Sequence, residues 1–302
     1  MNPIFVVGCQ RSGSTMLGAI LGTHSKVSAI PEAQFIADCV PESPSNMAAI
    51  LAQIQSHYRF KIWNYTLPDL PKNISSYPEL IRWLVTCYAA EVNHKRHMAF
   101  WVDHQPGHIK HICKLAKQFP QLKVVHIIRD GRAVANSLIP LDWGPNSIHR
   151  AAYYWQQRLA YGLALKEFLP QAYFSIKYED ILLKPEQSIQ SLCDFIGLDY
   201  EPNMLSGTGF KVPKFTQSQH ALVGNGVNAK RIDSWVNQLS CREVEIFESV
   251  TGDLLSYLGY EKISNTARGM TMLERVKLDV LHLIKGLTNK VQFQKRVKRS
   301  IG

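Results

Sequence analysis

The sequence predicts an α/β fold in which a parallel β-sheet is flanked by helices. Two observations predict it. Short apolar runs alternate with longer helical patterns, and the polar residues suited to chemistry follow directly after those runs. Strands that alternate with helices form parallel sheets through right-handed crossovers. Because ligands bind at the carboxyl ends of such strands, we expect the functional site at that edge.

The first predicted strand, 4–7, is an uninterrupted apolar run of the kind that is buried on both faces of a sheet. A helix is predicted over 15–21. The other predicted strands are Val27–Ile30, Phe100–Asp103, Lys123–Ile128 and Tyr173–Lys177. The other predicted helices are 79–96, 109–119, one beginning near Ala133, 147–169, Pro185–Ile196 and 240–258. Residues 203–230, which are rich in Gly, Asn and Ser, are interpreted as a loop.

We expect one α/β domain over 1–262 and a basic helical tail over 263–302. Within the domain, prolines and aromatic residues crowd 40–98, which indicates a mostly helical insertion suited to form a substrate wall. No apolar run approaches the roughly 18 residues of a membrane span. The six cysteines are scattered without a C-x-x-C pair, and no leader peptide is recognised at the N-terminus. We therefore expect reduced cysteines and a cytoplasmic protein.

The loop after the first strand has the composition of an anion site. Gly8, Gly13 and Thr15 match the pattern G-x-x-x-x-G-K-[ST] of P-loop nucleotide triphosphatases, so the sheet is expected to be P-loop-like. Ser14 stands where that pattern has its lysine, which disfavours ATP or GTP chemistry. Arg11 supplies the cation instead and can donate two hydrogen bonds to a phosphate or sulfate. Loop amides and the helix N-terminus would complete the site.

The net charge of +10 indicates an anionic ligand or surface, and most of it lies in the tail. From Arg268 onward there are nine Lys and Arg residues against two acids, interleaved with apolar residues at helical spacing. Such a basic amphipathic helix can lie on an anionic membrane surface, dock on a partner, or pack on its own domain with a solvated basic face; the last is favoured. The chain carries no nucleic-acid-binding signature.

Four blocks resemble the sulfotransferases that use 3′-phosphoadenosine 5′-phosphosulfate (PAPS), and together they span roughly residues 4 to 260. They are VVGCQRSGSTML, KVVHIIRDGRAVANSL, SIKYEDILLKPEQSIQSLCDFIGL and KRIDSWVNQLSCREVEIFESVTGDLLSYLGY. The first is similar to the 5′-phosphosulfate loop of that family, and the second to its 3′-phosphate block. The chain looks closer to the tyrosylprotein, bacterial and carbohydrate-type enzymes than to the cytosolic enzymes that act on small phenols.

The resemblance implies a set of donor-binding residues. The 5′ end would be held by Arg11, Ser12, Gly13, Ser14 and Thr15, and the 3′-phosphate by Arg129 and by Ser137 about two helical turns further on. Tyr178 matches a position that contacts the nucleotide, although a tyrosine at a strand end can also be a core residue. A loop that closes over the nucleotide would contribute Gly224, Asn225 and Arg231.

The resemblance also implies catalytic roles for Glu32, His104 and Arg11. Glu32 matches a catalytic glutamate and would act as the base; the alternative is an acid at the start of the next helix. His104 stands where such enzymes often carry a lysine. A protonated ring, kept charged by Asp103, could donate to the leaving phosphate, whereas with a neutral ring Arg11 would carry that charge. His108 and His111 are interpreted as part of a wet helix face rather than a metal site.

The sequence thus predicts a PAPS-dependent sulfotransferase that releases 3′-phosphoadenosine 5′-phosphate (PAP) and needs no metal. A carbohydrate or glycolipid hydroxyl is the favoured acceptor, ahead of a peptide tyrosine or a small metabolite. A kinase with the same loop, or a non-catalytic protein that binds nucleotides or anionic surfaces, is the alternative. Peripheral membrane contact through the tail and the oligomeric state stay open.

Overall fold

Five parallel strands in the order β2-β3-β1-β4-β5 form the centre of the protein. The computed structural model describes residues 1–42, 46–213, 215, 232–263 and 268–301. The strands are β1 (Asn2–Gly8), β2 (Val27–Ile30), β3 (Phe100–Asp103), β4 (Lys123–Ile128) and β5 (Tyr173–Lys177). This parallel sheet with helices on both faces confirms the predicted fold class.

Thirteen α-helices are described around the sheet. They are α1 (Ser14–Thr23), α2 (Phe35–Asp38), α3 (Met47–Ser56), α4 (Tyr58–Ile62), α5 (Tyr77–Glu91), α6 (Ile112–Gln118), α7 (Gly131–Leu138), α8 (Ile148–Phe168), α9 (Tyr178–Leu183), α10 (Pro185–Ile196), α11 (Cys241–Thr251), α12 (Leu254–Tyr257) and α13 (Met272–Ile301). Among the described residues, no helix is long and apolar enough to cross a membrane.

The alternation of side chains along β1 divides the core into two layers. Phe5 joins the cluster that contains α3, α5 and Trp101, whereas Ile4 and Val6 face the opposite cluster with α1 and α10. All of these side chains are completely buried. The uninterrupted apolar run is therefore explained by burial on both faces.

The register aligns the carboxyl ends of neighbouring strands. Ile30 pairs with Asp103, Gly8 with Ile127, and Ile128 with Lys177. Every segment that leaves these ends therefore begins at the same edge of the sheet. That edge carries Arg11, Glu32, His104, Arg129 and Tyr178.

Two predicted helices are divided by the structure, and one helix was not predicted. The predicted helix 109–119 is divided into a 3-10 segment (Pro106–Lys110) and α6. The predicted helix 240–258 is interrupted after α11 by Gly252, whose φ of 57° favours glycine. α9 was not predicted, because a six-residue helix directly after a strand leaves too short a pattern to recognise.

The tail packs on its own domain, as the sequence favoured. Glu274 of α13 pairs with Arg242 at 2.9 Å, and Asp279 pairs with His149 at 3.0 Å. The solvated side, however, is apolar as well as basic.

The six cysteines are all free.

Candidate active site

The loop between β1 and α1 is shaped by left-handed backbone at two positions. Arg11 has φ 71° and Gly13 has φ 100°. A Cβ on Gly13 would lie 2.5 Å from the Tyr178 ring, so only glycine permits this close approach. The first turn of α1 contains no acidic residue, and Ser14 and Thr15 are buried there. The loop thus presents amides and the positive end of a ten-residue helix to one place.

Two arginines and a serine join this loop to the end of β4. The Arg11 Nε donates to the Ser137 Oγ on α7 at 2.9 Å. The Arg129 Nη1 donates to the Arg11 carbonyl at 2.9 Å, and its guanidinium lies 4.3 Å from the centroid of the Tyr178 ring. The structure therefore brings together Arg11, Arg129, Ser137 and Tyr178, which come from three separate blocks of the sequence.

Two buried polar atoms in this cluster lack a hydrogen-bond partner within the described part of the chain. They are the Ser12 Oγ and the Arg129 Nε. Buried polar groups are normally satisfied, so both atoms are suited to receive an external acceptor such as a phosphate or sulfate oxygen. The residues present therefore fit a dianionic nucleotide end.

Beside the loop lies a pocket that contains Glu32 and His104. Its lining is otherwise largely apolar and aromatic, and Thr15 links it to the start of α1. The lining residues are Thr15, Pro31, Glu32, Arg59, Ile62, Trp63, His104, Phe210, Pro213 and Phe215. Such a pocket, mostly apolar with a few convergent polar groups, is typical of a small-ligand site.

Glu32 forms an ion pair with Arg59 of α4, whose Nη1 lies 3.0 Å from the Glu32 Oε2. Burial alone would lower the pKa of Arg59, but Glu32 and Tyr58 outweigh it and the pKa is raised. Both side chains are about one fifth exposed, so the carboxylate is held in place yet reaches the pocket. Glu32 does not cap α2, which begins after Gln34 without a side-chain cap.

His104 is buried against α1 with no hydrogen-bond partner on either ring nitrogen within the described residues. Burial lowers the pKa of this ring, and nearby Glu32 opposes the shift only in part. A Cβ on Gly18 would lie 2.7 Å from the ring, so α1 fixes its position. The ring is therefore neutral near pH 7 and faces the pocket with unsatisfied nitrogen atoms.

Burial lowers the pKa of His104 by more than Asp103, which raises it as expected, can offset, and the Asp103 carboxylate is hydrogen-bonded elsewhere. The Asp103 Oδ2 lies 2.8 Å from the His108 Nε2, and the other carboxylate oxygen accepts from the backbone amides of Gln105 at 2.9 Å and Ala33 at 3.4 Å. His108 is 1% exposed, so it does not belong to a wet helix face. Asp103 instead fixes the backbone that carries Glu32.

The sequence did not identify Arg59, although its aromatic neighbours in the insertion were noted. No local pattern indicates that a residue so far along the chain pairs with Glu32. Phe210 and Phe215 were likewise missed, because they come from the polar segment interpreted as a loop. Gly224, Asn225 and Arg231 lie outside the described residues. No cluster of metal-ligating side chains is found among the residues that the structure describes.

The comparisons with known proteins agree on one family, the sulfotransferases. A model of the sulfotransferase family matches residues 3–202. The chain is 25% identical over 276 residues to a putative protein-tyrosine sulfotransferase of Caenorhabditis briggsae, covering 87% of this chain and 90% of the relative. It is 23% identical over 279 residues to protein-tyrosine sulfotransferase 1 of Danio rerio, covering 88% and 74%.

A solved structure has the same fold. The sulfotransferase domain from the curacin biosynthetic pathway superimposes with a TM-score of 0.60 at 20% identity, covering 86% of this chain and 98% of that domain.

Proposed function

Since the chain belongs to the sulfotransferase family, we propose that it transfers a sulfuryl group from PAPS to an acceptor hydroxyl held beside Glu32. One observation carries this proposal. The anion-binding loop and the pocket with the carboxylate share Thr15, so a donor in the loop and an acceptor in the pocket would meet at the start of α1.

The donor end is assigned to the cluster around Arg11. The loop amides, Ser12 and Thr15 would hold the 5′-phosphosulfate, and Arg129 with Ser137 would hold the 3′-phosphate. The unsatisfied Ser12 Oγ and Arg129 Nε support this assignment. When bound, PAPS supplies the sulfuryl group and a bisphosphate nucleotide as the leaving group.

The chain's own residues then handle one proton and the developing charge. Glu32 accepts the proton of the acceptor hydroxyl. At the same time the hydroxyl oxygen bonds to sulfur, and the bond from sulfur to the phosphate oxygen breaks. Arg59 keeps the carboxylate oriented. Arg11 and the loop amides stabilise the charge on the departing phosphate. His104 acts as a neutral N–H donor toward the reacting oxygens, because burial lowers the pKa of its ring.

We favour the phenolic hydroxyl of a peptide tyrosine as the acceptor. Trp63, Phe210 and Phe215 line the pocket, and their rings suit contact with a planar aromatic side chain. The curated relatives reported above are protein-tyrosine sulfotransferases. A carbohydrate or glycolipid hydroxyl, favoured by the sequence, stays a prediction.

Calorimetric titration with PAP, and separately with ATP and magnesium, tests the donor. PAP should bind, and Arg11→Ala and Arg129→Ala should weaken it by roughly tenfold to a hundredfold, since each removes charged hydrogen bonds. Arg82→Ala, at an exposed position on α5, is the matched control. Preferential binding of ATP, or no nucleotide binding, would contradict the proposal and favour the kinase or the non-catalytic protein.

Transfer of labelled sulfate from PAPS then tests the acceptor. Tyrosine peptides are compared with sugars and glycolipids at equal concentration. Sulfation of sugars without sulfation of tyrosine would overturn the acceptor assignment and leave the donor assignment intact.

A further inference from the structure

The outward face of α13 is apolar. Leu273, Val276, Val280, Leu283, Leu287 and Val291 are between 48% and 84% exposed. With 3.6 residues per turn, they fall within an arc of roughly 80° along five turns of the helix. Continuous apolar surface of this extent on a folded protein marks an interaction site.

The inward face of the same helix is largely polar, with Leu278 packing against the core beside α8 and α11. Asp279 pairs with Arg150 at 2.9 Å, Asn289 donates to Asn146 at 3.0 Å, and Arg296 pairs with Asp142 at 2.8 Å. An amphipathic helix usually buries its apolar stripe against its own domain. Here the polar contacts and Leu278 hold the helix in place, and the apolar stripe is left to face outward.

We propose that this face of α13 docks on an anionic lipid surface. Lys277 and Lys295 flank one edge of the apolar stripe and Lys290 flanks the other, and all three are exposed. A helix with an apolar face bordered by lysines lies in the interface of a bilayer, with its apolar side chains among the acyl chains and its charges at the headgroups. Each such lysine adds attraction to anionic lipid.

Charge distinguishes a lipid surface from a second copy of the chain. The two acids of the helix, Glu274 and Asp279, are both engaged by cationic residues of the domain. Within the described residues, neither is left for the lysines of a second helix. Pairing two copies through the apolar stripe would therefore place like charges together, whereas anionic headgroups supply the opposite charge.

The side of α13 opposite the docking face packs beside the candidate acceptor pocket. The guanidinium of Arg296 is 4.6 Å from the centroid of the Phe215 ring, which lines that pocket. α13 also packs against α4, the helix that carries Arg59. A protein bound through α13 would therefore hold its pocket one helix diameter, about 10 Å, from the lipid surface.

Flotation of the full chain with vesicles tests the proposal. Wild-type protein should float with phosphatidylcholine vesicles that contain about one third phosphatidylserine, and bind pure phosphatidylcholine at least tenfold more weakly. Leu283→Ser with Leu287→Ser should weaken binding roughly tenfold or more, because two apolar side chains no longer enter the bilayer. Both residues are exposed, so the fold should be kept.

The matched control is Leu183→Ser, which removes a leucine that is 62% exposed on α9, and it should float like wild type. Failure of the wild type to float with anionic vesicles overturns the proposal. So does unchanged flotation of the double variant, or a dimer in sedimentation that the double variant abolishes without any vesicle binding. PAP affinity is measured on the same samples and should not change, so this result is independent of the proposed function.

Discussion

The guanidinium of Arg59 lies 3.0 Å from the carboxylate of Glu32 inside the candidate acceptor pocket. The two residues come from different elements: Glu32 follows β2, and Arg59 lies in α4 within the helical insertion. The backbone next to Glu32 is fixed separately, because the carboxylate of Asp103 accepts a hydrogen bond from the amide of Ala33. The carboxylate is thus positioned from two directions, which is what a general base requires.

Glu32→Gln should lower turnover by roughly 10² to 10⁴-fold, the usual contribution of a general base, and leave the affinity for PAP unchanged. The amide keeps the shape of the side chain but cannot accept the proton. Turnover and calorimetric PAP affinity are measured on the same preparation, with the exposed Glu186→Gln as control. Turnover near the wild-type value would remove Glu32 from the mechanism.

His104 should be neutral at pH 7 and take up a proton only below its ordinary pKa of 6.5, because burial disfavours the charged ring. Nitrogen-15 NMR of the ring through a pH titration measures this, and urea-unfolded protein supplies the reference. A ring that is charged at pH 7 would contradict this prediction, and His104 would then act as a cationic donor.

His104→Phe should lower turnover roughly tenfold to a hundredfold, since it removes one donor near the reacting oxygens while keeping a planar ring against α1. His97→Phe, at an exposed position, is the control. Unchanged turnover in His104→Phe would show that Arg11 and the loop amides stabilise the charge without it.

The strands were predictable because each apolar run is short and bounded by polar or turn residues. Val27–Ile30, Phe100–Asp103, Lys123–Ile128 and Tyr173–Lys177 are observed as the sequence predicts. The shared edge of the sheet follows from parallel pairing alone, so the meeting of Arg11 with Arg129 could be expected. The Ser137 hydroxyl lies in that cluster but accepts from Arg11 rather than from Arg129.

What the sequence could not predict depends on contacts between distant segments. The pairing of Glu32 with Arg59 requires the insertion to fold over β2. The pKa of His104 depends on how completely α1 and Phe210 cover the ring, which lies 4.6 Å from Phe210 between centroids. From the sequence, Asp103 could form a hydrogen bond with His104 or with His108. The turn after β3 brings His108 to the carboxylate.

Gly13→Ala should abolish PAP binding and lower the free energy of unfolding by about 2 kcal/mol or more. A Cβ there meets the Tyr178 ring at 2.5 Å and also requires left-handed backbone. Gly197→Ala is the matched control, because Gly197 has φ 87° but no atom within 4 Å of its Cβ position. It should cost only about 1 kcal/mol and keep PAP binding. If urea unfolding shows the same loss of free energy of unfolding in both variants, the contact with Tyr178 is unimportant.

The stability of the fold should depend on the titration of His126 in β4. Burial lowers the pKa of this ring to about 4, and its Nδ1 lies 2.7 Å from the Tyr173 hydroxyl. α8 packs closely on the ring, since a Cβ on Gly162 would clash with it. The unfolded chain protonates near 6.5, so the neutral ring contributes fully above that pH. The contribution is lost as pH falls toward 4.

Urea unfolding between pH 7.5 and pH 4 should therefore show a loss of about 3 kcal/mol from this group. Other groups also titrate in that range, so the informative quantity is the difference from His126→Gln, which cannot be protonated but can still bond Tyr173. The variant should lose less stability on acidification than the wild type. Parallel curves for the two proteins would mean that the buried ring does not govern acid stability, and that the packing of α8 on β4 tolerates a charged His126.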